Sequence, residues 1–181
     1  MKYAYQFIRE YLHTQAGIML GAEKDYLIES RLHGLLKKYS LKDLEQLVCV
    51  LESTPDGDVA SSVISSLTTH ETSWFRDQRP FDRFRTEVLP NLRARQRRQI
   101  SIWSAACSTG QEIYSIAMLL REEGIHSPMW QVSLCASDIC KTTLSQAQQG
   151  VYSRFEIERG LPQTYLQRYF EMTPAGWRIS S

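Results

Sequence analysis

The run Ile100-Ser-Ile-Trp-Ser-Ala-Ala-Cys-Ser-Thr-Gly-Gln-Glu-Ile-Tyr-Ser-Ile-Ala-Met118 decides the fold. It reads as a buried strand, a tight turn of small residues and then a helix. An α/β protein uses that arrangement to lay its backbone against a cofactor at the edge of a sheet. One glycine, Gly110, sits in the turn among Ala105, Ala106, Ser108 and Thr109. A dinucleotide fingerprint needs three glycines, and a phosphate-gripping loop ends in Gly-Lys-Ser/Thr. Neither is present, so a nucleoside triphosphate is a poor fit. Close approach without a phosphate cradle suits a nucleoside-like, cationic ligand, and Glu112 just past the turn can supply its carboxylate partner. Taken alone, the segment also reads as an ordinary structural strand-to-helix turn.

Working outward, the chain alternates strand and helix from Ile100 onward. A strand at Ile100–Ala106 leads to a helix at Gln111–Glu123, a strand at Gln131–Ser137 and a helix through Thr143, Leu144 and Ala147 to Gly150. That order implies a crossover and a parallel sheet, and both strands are apolar enough to be expected in a sheet interior. Asp138 follows the second strand directly, in Leu134-Cys-Ala-Ser-Asp-Ile. An acidic residue there hydrogen-bonds the ribose hydroxyls of an adenosine-containing ligand. By itself it reads equally as a helix cap; with the Cys107–Gly110 turn in the preceding crossover, the ribose role is favoured.

Upstream, up to about Leu67, the pattern is helical throughout. Phe7, Ile8, Tyr11 and Leu12 repeat at helical spacing up to Gly17, and Leu27, Ile28, Leu32, Leu35 and Leu36 form a second stripe between Glu23 and Tyr39. Ser40 with Asp43 resembles a capping box opening a third helix through Leu44, Leu47, Val48 and Leu51. Pro55-Asp56-Gly57 marks a turn before a fourth, Val59 to Leu67. The second helix carries Arg31, Lys37 and Lys38, with His33 nearby, opposite its leucine stripe. That face reads as a docking surface for an acidic or helical partner, or as an ordinary solvated face.

Between the halves lie eight arginines from Arg76 to Arg98, with Pro90 splitting the helical pattern. Interleaved Asp77, Asp82 and Glu87 balance them, so a solvated connecting helix is expected rather than a nucleic-acid contact. The segment Ser66-Leu-Thr-Thr-His-Glu-Thr-Ser-Trp-Phe-Arg-Asp77 gathers polar side chains around Trp74 and Phe75 at the junction of the halves, where pockets tend to form. On a helix Thr72 and Arg76 would share one face and meet a carboxylate there; Thr72 alternatively caps the helix at Arg79.

The totals bound the answer. In 181 residues there is room for one ordinary domain or two small ones, and with 21 basic against 20 acidic residues nothing global argues for a nucleic-acid or anionic-membrane partner. No apolar run approaches a spanning helix, and the N-terminus lacks a secretion signal. Cys49, Cys107, Cys135 and Cys140 form no CxxC pair and have no histidine at ligand spacing. They are expected to be reduced, mostly buried thiols of a cytoplasmic protein, with no metal.

Taken in order, the motifs Thr-Thr-x-x-Thr-x-Trp-Phe-Arg-Asp77, Trp103-Ser-Ala-Ala-Cys-Ser-Thr-Gly-x-Glu-x-Tyr-Ser-Ile-Ala117, Ala136-Ser-Asp-Ile139, Ala147-x-x-Gly-x-Tyr152 and Leu161-Pro…Arg168-Tyr-Phe170 resemble the CheR family. These are chemotaxis receptor glutamate O-methyltransferases that use S-adenosylmethionine and release S-adenosylhomocysteine. The resemblance spans essentially the whole chain. It implies a helical receptor-docking domain over 1–68 and an S-adenosylmethionine-dependent methyltransferase domain over 69–181. It places Thr72 and Arg76 near the methionine part of the cofactor, with Arg76 also the one catalytic candidate. Ala106 and Glu112 would line the amino-acid end, Asp138 the ribose, and Arg31 with the basic helix would face the receptor's methylation helices. It also implies a small antiparallel sheet, with Tyr169–Ile179 as its first hairpin and Pro174-Ala-Gly176 as the turn.

His70 stands where the family more often has asparagine, and Gln111 and Ile113 replace the usual glutamate and proline. Family members continue into further strands that close the adenine pocket and supply an active-site tyrosine, whereas this sequence stops at Ser181. The fold expected is therefore α/β: a small helical bundle, then an incomplete doubly wound Rossmann-like methyltransferase domain with the start of an antiparallel β-subdomain. The sheet edges left open make self-association of the truncated sheet one expected outcome. A non-catalytic receptor-binding module of the same lineage is the alternative, and a nucleic-acid methyltransferase the third option.

Overall fold

The computed structural model describes residues 2–95, 98–126 and 128–180. Arg97 of the arginine run and the terminal Ser181 lie outside them. Two compact units emerge, one of residues 1–69 with 139–141, the other of 70–138 with 142–181.

The first unit is built from α1 (Lys2–Ala16), α2 (Asp25–Lys38), α3 (Leu44–Ser53) and α4 (Asp58–Leu67). Its core is the set of apolar positions that repeat every three or four residues: Ile8, Leu12, Ile28, Leu32, Leu47, Leu51 and Val63 are all buried. Gly17 at φ 67° ends α1, its N–H bonded to the His13 carbonyl. The start of α3 differs from the capping box expected at Ser40. Ser40 belongs to the end of α2: it sits in the left-handed region at φ 55°, with Ser40 N–H on the Lys37 carbonyl and Leu41 N–H on the Leu36 carbonyl. Those two bonds satisfy the last orphan carbonyls of α2 in a Schellman motif. Asp43 alone caps α3, accepting the Gln46 N–H at 2.9 Å.

In the second unit, α5 (Arg79–Arg83), a π-helical turn (Phe84–Val88) and α6 (Leu89–Ala94) run on without a break. Pro90 therefore does not split the helix. A proline ring clashes with the carbonyl four residues back, here that of Thr86, and the wider π turn just before it absorbs the clash.

Strand β1 (Gln99–Ala105), helix α7 (Gln111–Glu122) and strand β2 (Gln131–Ser137) follow, and β1 pairs with β2 in parallel, Gln99 opposite Gln131 through Ala105 opposite Ser137. The expectation that both strands lie in a sheet interior fails. Alternate residues face a core of Ile100, Ile102, Val132 and Leu134, while Trp103 on the other face is 67% exposed. Ile-Ser-Ile-Trp-Ser is a period-two pattern, and the second face of this two-stranded sheet is open. Helix α8 (Lys141–Gln149), β3 (Val151–Tyr152), α9 (Arg154–Glu158) and α10 (Gln163–Tyr169) lead to β4 (Phe170–Thr173) and β5 (Gly176–Ile179). These last strands form the antiparallel hairpin anticipated at 169–179, and β3 adds to it in the order β3-β5-β4.

Candidate cofactor site

Because β1 and β2 run in parallel, their carboxyl ends emerge side by side. One further bond, Cys107 N–H to the Ser137 carbonyl at 2.9 Å, extends the pairing past the last strand residue. The chain then reverses through three left-handed residues, Ala106 at φ 59°, Ser108 at φ 51° and Gly110 at φ 94°. For alanine and serine that conformation costs about 1–2 kcal/mol each, and such backbone persists only where the surroundings hold it.

Five bonds hold it here. Ser108 N–H donates to Asp138 Oδ2 at 2.7 Å, and the Ser108 hydroxyl donates to the His70 carbonyl at 2.8 Å. Gly110 N–H closes the turn on the Cys107 carbonyl at 2.9 Å. Thr109 donates its hydroxyl to Gln111 Oε1 at 2.7 Å, and Tyr152 donates its own to the Thr109 carbonyl at 2.8 Å. Gln111, which replaces the glutamate usual in the resemblance, is thus a buried polar side chain with a partner.

Glu112 is exposed in the first turn of α7, and its Oε1 accepts the hydroxyl of buried Ser104 at 2.7 Å. The loop therefore presents the carboxylates of Glu112 and Asp138 beside exposed Ala106, with no lysine or arginine between Ser104 and Glu112. That donor set repels phosphate and fits a cationic, hydroxyl-bearing nucleoside. Among the described residues, no group of three or more His, Cys, Asp or Glu could hold a metal ion.

Thr72 and Arg76 do not share a helix face. Residues 71–73 are irregular, 74–77 form a turn, and Phe75, Asp77 and Gln78 have φ of 48°, 59° and 21°. No α-helix passes through such angles, and the cap position of α5 is Gln78 rather than Thr72. The segment is instead pinned from behind. Trp74 donates its backbone N–H to the Arg159 carbonyl at 3.1 Å and its indole N–H to the Glu156 carbonyl at 3.0 Å. Phe75 N–H donates to Ser115 Oγ at 3.1 Å, and that hydroxyl donates to the Gln111 carbonyl at 2.6 Å. Ser115 thereby ties the Arg76 segment to the helix whose first turn carries Glu112. Half-buried Thr72 lies two residues from the Trp74 anchor, and Arg76 donates to the Glu71 carbonyl at 2.7 Å.

On the helical unit, Arg31 is engaged internally. Its guanidinium donates to the Leu67 carbonyl at 2.9 Å and the Thr68 carbonyl at 3.3 Å, at the C-terminus of α4, where a cation is favourable. Lys37 and Lys38 occupy the exposed last turn of α2, Lys38 lying 5.0 Å from the Tyr39 ring centroid.

Ser104, Ser115 and Tyr152 stand within the quoted motifs, but the sequence assigns none of them a role. A signal existed for Ser115, a polar residue on the buried stripe of α7, four positions after Gln111. Tyr152 closes the Ala147-x-x-Gly-x-Tyr motif, but no local pattern points to its partner, which lies 43 residues away.

No disulfide joins the four cysteines, but Cys49 and Cys135 are exposed and only Cys107 and Cys140 buried, so "mostly buried" overstates their protection. Burial, then the nearby Asp138 carboxylate, pushes the Cys107 thiol above its ordinary value. An aromatic disulfide reagent at neutral pH is expected to label Cys49 and Cys135 quickly and the other two only on unfolding. Fast labelling of all four would contradict the burial of the loop.

A parallel strand pair, a strained loop at its carboxyl ends and an acidic residue after the second strand define a nucleoside-binding α/β unit joined to a helical one. Two family models match: "CheR methyltransferase, all-alpha domain" over residues 4–68 and "CheR methyltransferase, SAM binding domain" over 70–181. The chain is 37% identical over 181 residues to "Chemotaxis protein methyltransferase Cher2" of Pseudomonas putida, covering 97% of this chain and 66% of that relative. It is 37% identical over 180 residues to "Chemotaxis protein methyltransferase 1" of Pseudomonas aeruginosa, covering 97% and 65%. It is 35% identical over 164 residues to "Chemotaxis protein methyltransferase" of Escherichia coli, covering 90% and 54%. The chain belongs to the CheR methyltransferase family and carries its SAM-binding domain. It spans 66% and 65% of the length of the two Pseudomonas relatives. No helix among the described residues is long and apolar enough to cross a membrane.

Proposed function

We propose that this chain binds S-adenosylmethionine as part of an enzyme that methylates glutamate carboxylates on chemotaxis receptors, releasing S-adenosylhomocysteine. The observation that carries the reading is the bond from Ser108 N–H to Asp138, which joins the loop after β1 to the carboxylate after β2. Ligands of open α/β sheets lie in the crevice at that end of the strands. In this reading Asp138 takes the ribose hydroxyls, Ala106 and Glu112 line the amino-acid end, and Thr72 and Arg76 flank the methionine part. Arg76 also offsets the charge of the incoming carboxylate. Residues 1–68 dock the receptor, with Arg31, Lys37 and Lys38 toward its helices, and 69–181 serve methyl transfer.

The side chain of glutamate, with a pKa of about 4.3, is ionised at neutral pH. Bound cofactor, held by Thr72, Arg76, Ala106, Glu112 and Asp138, would supply to the carboxylate oxygen a methyl group already activated on a sulfonium, the pair of the broken carbon–sulfur bond staying on sulfur. No proton moves, so no general base is called for. The chain's own residues contribute alignment, which is proximity catalysis.

A receptor-binding module without turnover is the second reading. Calorimetric titration of the chain with S-adenosylhomocysteine, with NAD as control, tests the first. Saturable binding of S-adenosylhomocysteine but not NAD is expected; a folded chain that binds neither would leave only the module.

A further inference from the structure

Tyr152 lies behind the cofactor loop rather than in it. Its ring is fully buried, edge-on to Trp74 with centroids 4.9 Å apart, and it pairs with Trp177 of β5 through the short strand β3. From that fixed position the hydroxyl donates to the Thr109 carbonyl at 2.8 Å. This carbonyl belongs to the same peptide unit as the Gly110 N–H, which closes the turn on Cys107. A single peptide plane is therefore gripped at both ends. On its N-terminal side stands Ser108, whose N–H fixes Asp138; on its C-terminal side begins α7 with Glu112. A Cβ on Gly110 would meet the Ala147 Cβ at 3.0 Å and the Tyr114 ring and Tyr152 hydroxyl oxygen at 3.2 Å, so this end of the peptide is closely packed.

We infer that Tyr152 is a positioning residue for the cofactor: its hydroxyl sets the Thr109–Gly110 peptide and, through it, the spacing of Asp138 and Glu112. The inference rests on the S-adenosylmethionine reading of the site. Because burial raises its pKa above the ordinary tyrosine value, the hydroxyl stays a donor across neutral and mildly alkaline pH.

Tyr114 supplies a matched control. It too donates a phenol hydroxyl to a backbone carbonyl at 2.8 Å, but that carbonyl belongs to Ala147 of α8 and not to the loop peptide itself. The experiment compares Tyr152→Phe with Tyr114→Phe in the full chain. It reads S-adenosylhomocysteine affinity by calorimetry and amide hydrogen exchange over residues 106–110. Both variants lose one hydroxyl–carbonyl bond and keep the ring. Tyr152→Phe is expected to weaken binding about tenfold and to raise exchange in the loop, and Tyr114→Phe to do neither. Affinity within about twofold of wild type for Tyr152→Phe, or equal losses in the two variants, overturns the inference alone. Wild-type chain that binds no S-adenosylhomocysteine overturns the functional reading, and this one with it.

Discussion

Trp74→Ala is expected to destabilise the second unit by about 3–5 kcal/mol, the range for removing a buried large aromatic. Trp74 is 1% exposed and meets Tyr152 and Phe170 edge-on, at centroid distances of 4.9 and 5.3 Å. Truncation leaves a cavity between those rings and also strips the Glu156 carbonyl of the indole N–H. Gly160, at φ 95°, packs against the Trp74 main chain, where a Cβ would stand 2.4 Å from the carbonyl oxygen. Since whole domains are stable by about 5–15 kcal/mol, a loss of this size removes much of the margin. Denaturant unfolding of the variant, followed through tyrosine environment and far-ultraviolet dichroism, reads it directly. A loss below about 1 kcal/mol would mean that the aromatic cluster does not support the unit.

The second large effect is on binding. Asp138→Ala is expected to lower S-adenosylhomocysteine affinity by about 100-fold, and Asp138→Asn by about tenfold, on the scale of hydrogen bonds to charged groups. The carboxylate has two tasks in the proposed site, clamping the Ser108 N–H and accepting ribose hydroxyls, and it carries about four acceptor positions for them. Alanine removes both tasks. Asparagine keeps one oxygen for Ser108 but loses the charge and half the acceptor capacity. Calorimetry orders the three proteins; equal affinities for Ala and wild type would take Asp138 out of the site.

Much of the fold could be read from local patterns. The stripe of α1 and the β2 span rest on residues close in sequence, where a period of 3.6 or 2 is its own witness, and the hairpin at 169–179 came from the family resemblance. What stayed hidden depended on distant partners or on backbone angles. Strand β3 is only Val151 and Tyr152, and what makes it a strand is its pairing with Arg178 and Trp177 of β5, too far along the chain for any local window. Ser40 looked like an N-cap because serine favours both roles; its left-handed φ, which puts it at the end of α2, is not a sequence property. The spacing of Thr72 and Arg76 suggested a helix face, and the anchors of Trp74 and Phe75 on α9 and α7 overrode it. In the candidate site, Glu112 and Asp138 stood out as carboxylates at strand and helix ends. Their supports, Ser104, Ser115 and Tyr152, are ordinary polar residues whose meaning comes only from what they face.

The alternation of left-handed residues at Ala106, Ser108 and Gly110 has an evolutionary side. Its backbone is that of a glycine-rich loop spelled mostly without glycine. Glycine at 106 would relieve strain and cost the loop little. Glycine at 108 would also relieve strain but would cut the hydroxyl tie to His70. Drift is therefore free to soften the first of these positions and is held at the second, while branched side chains are barred from both. The loop keeps its shape through its neighbours, and a lineage that altered those neighbours would have to rewrite the loop in glycine.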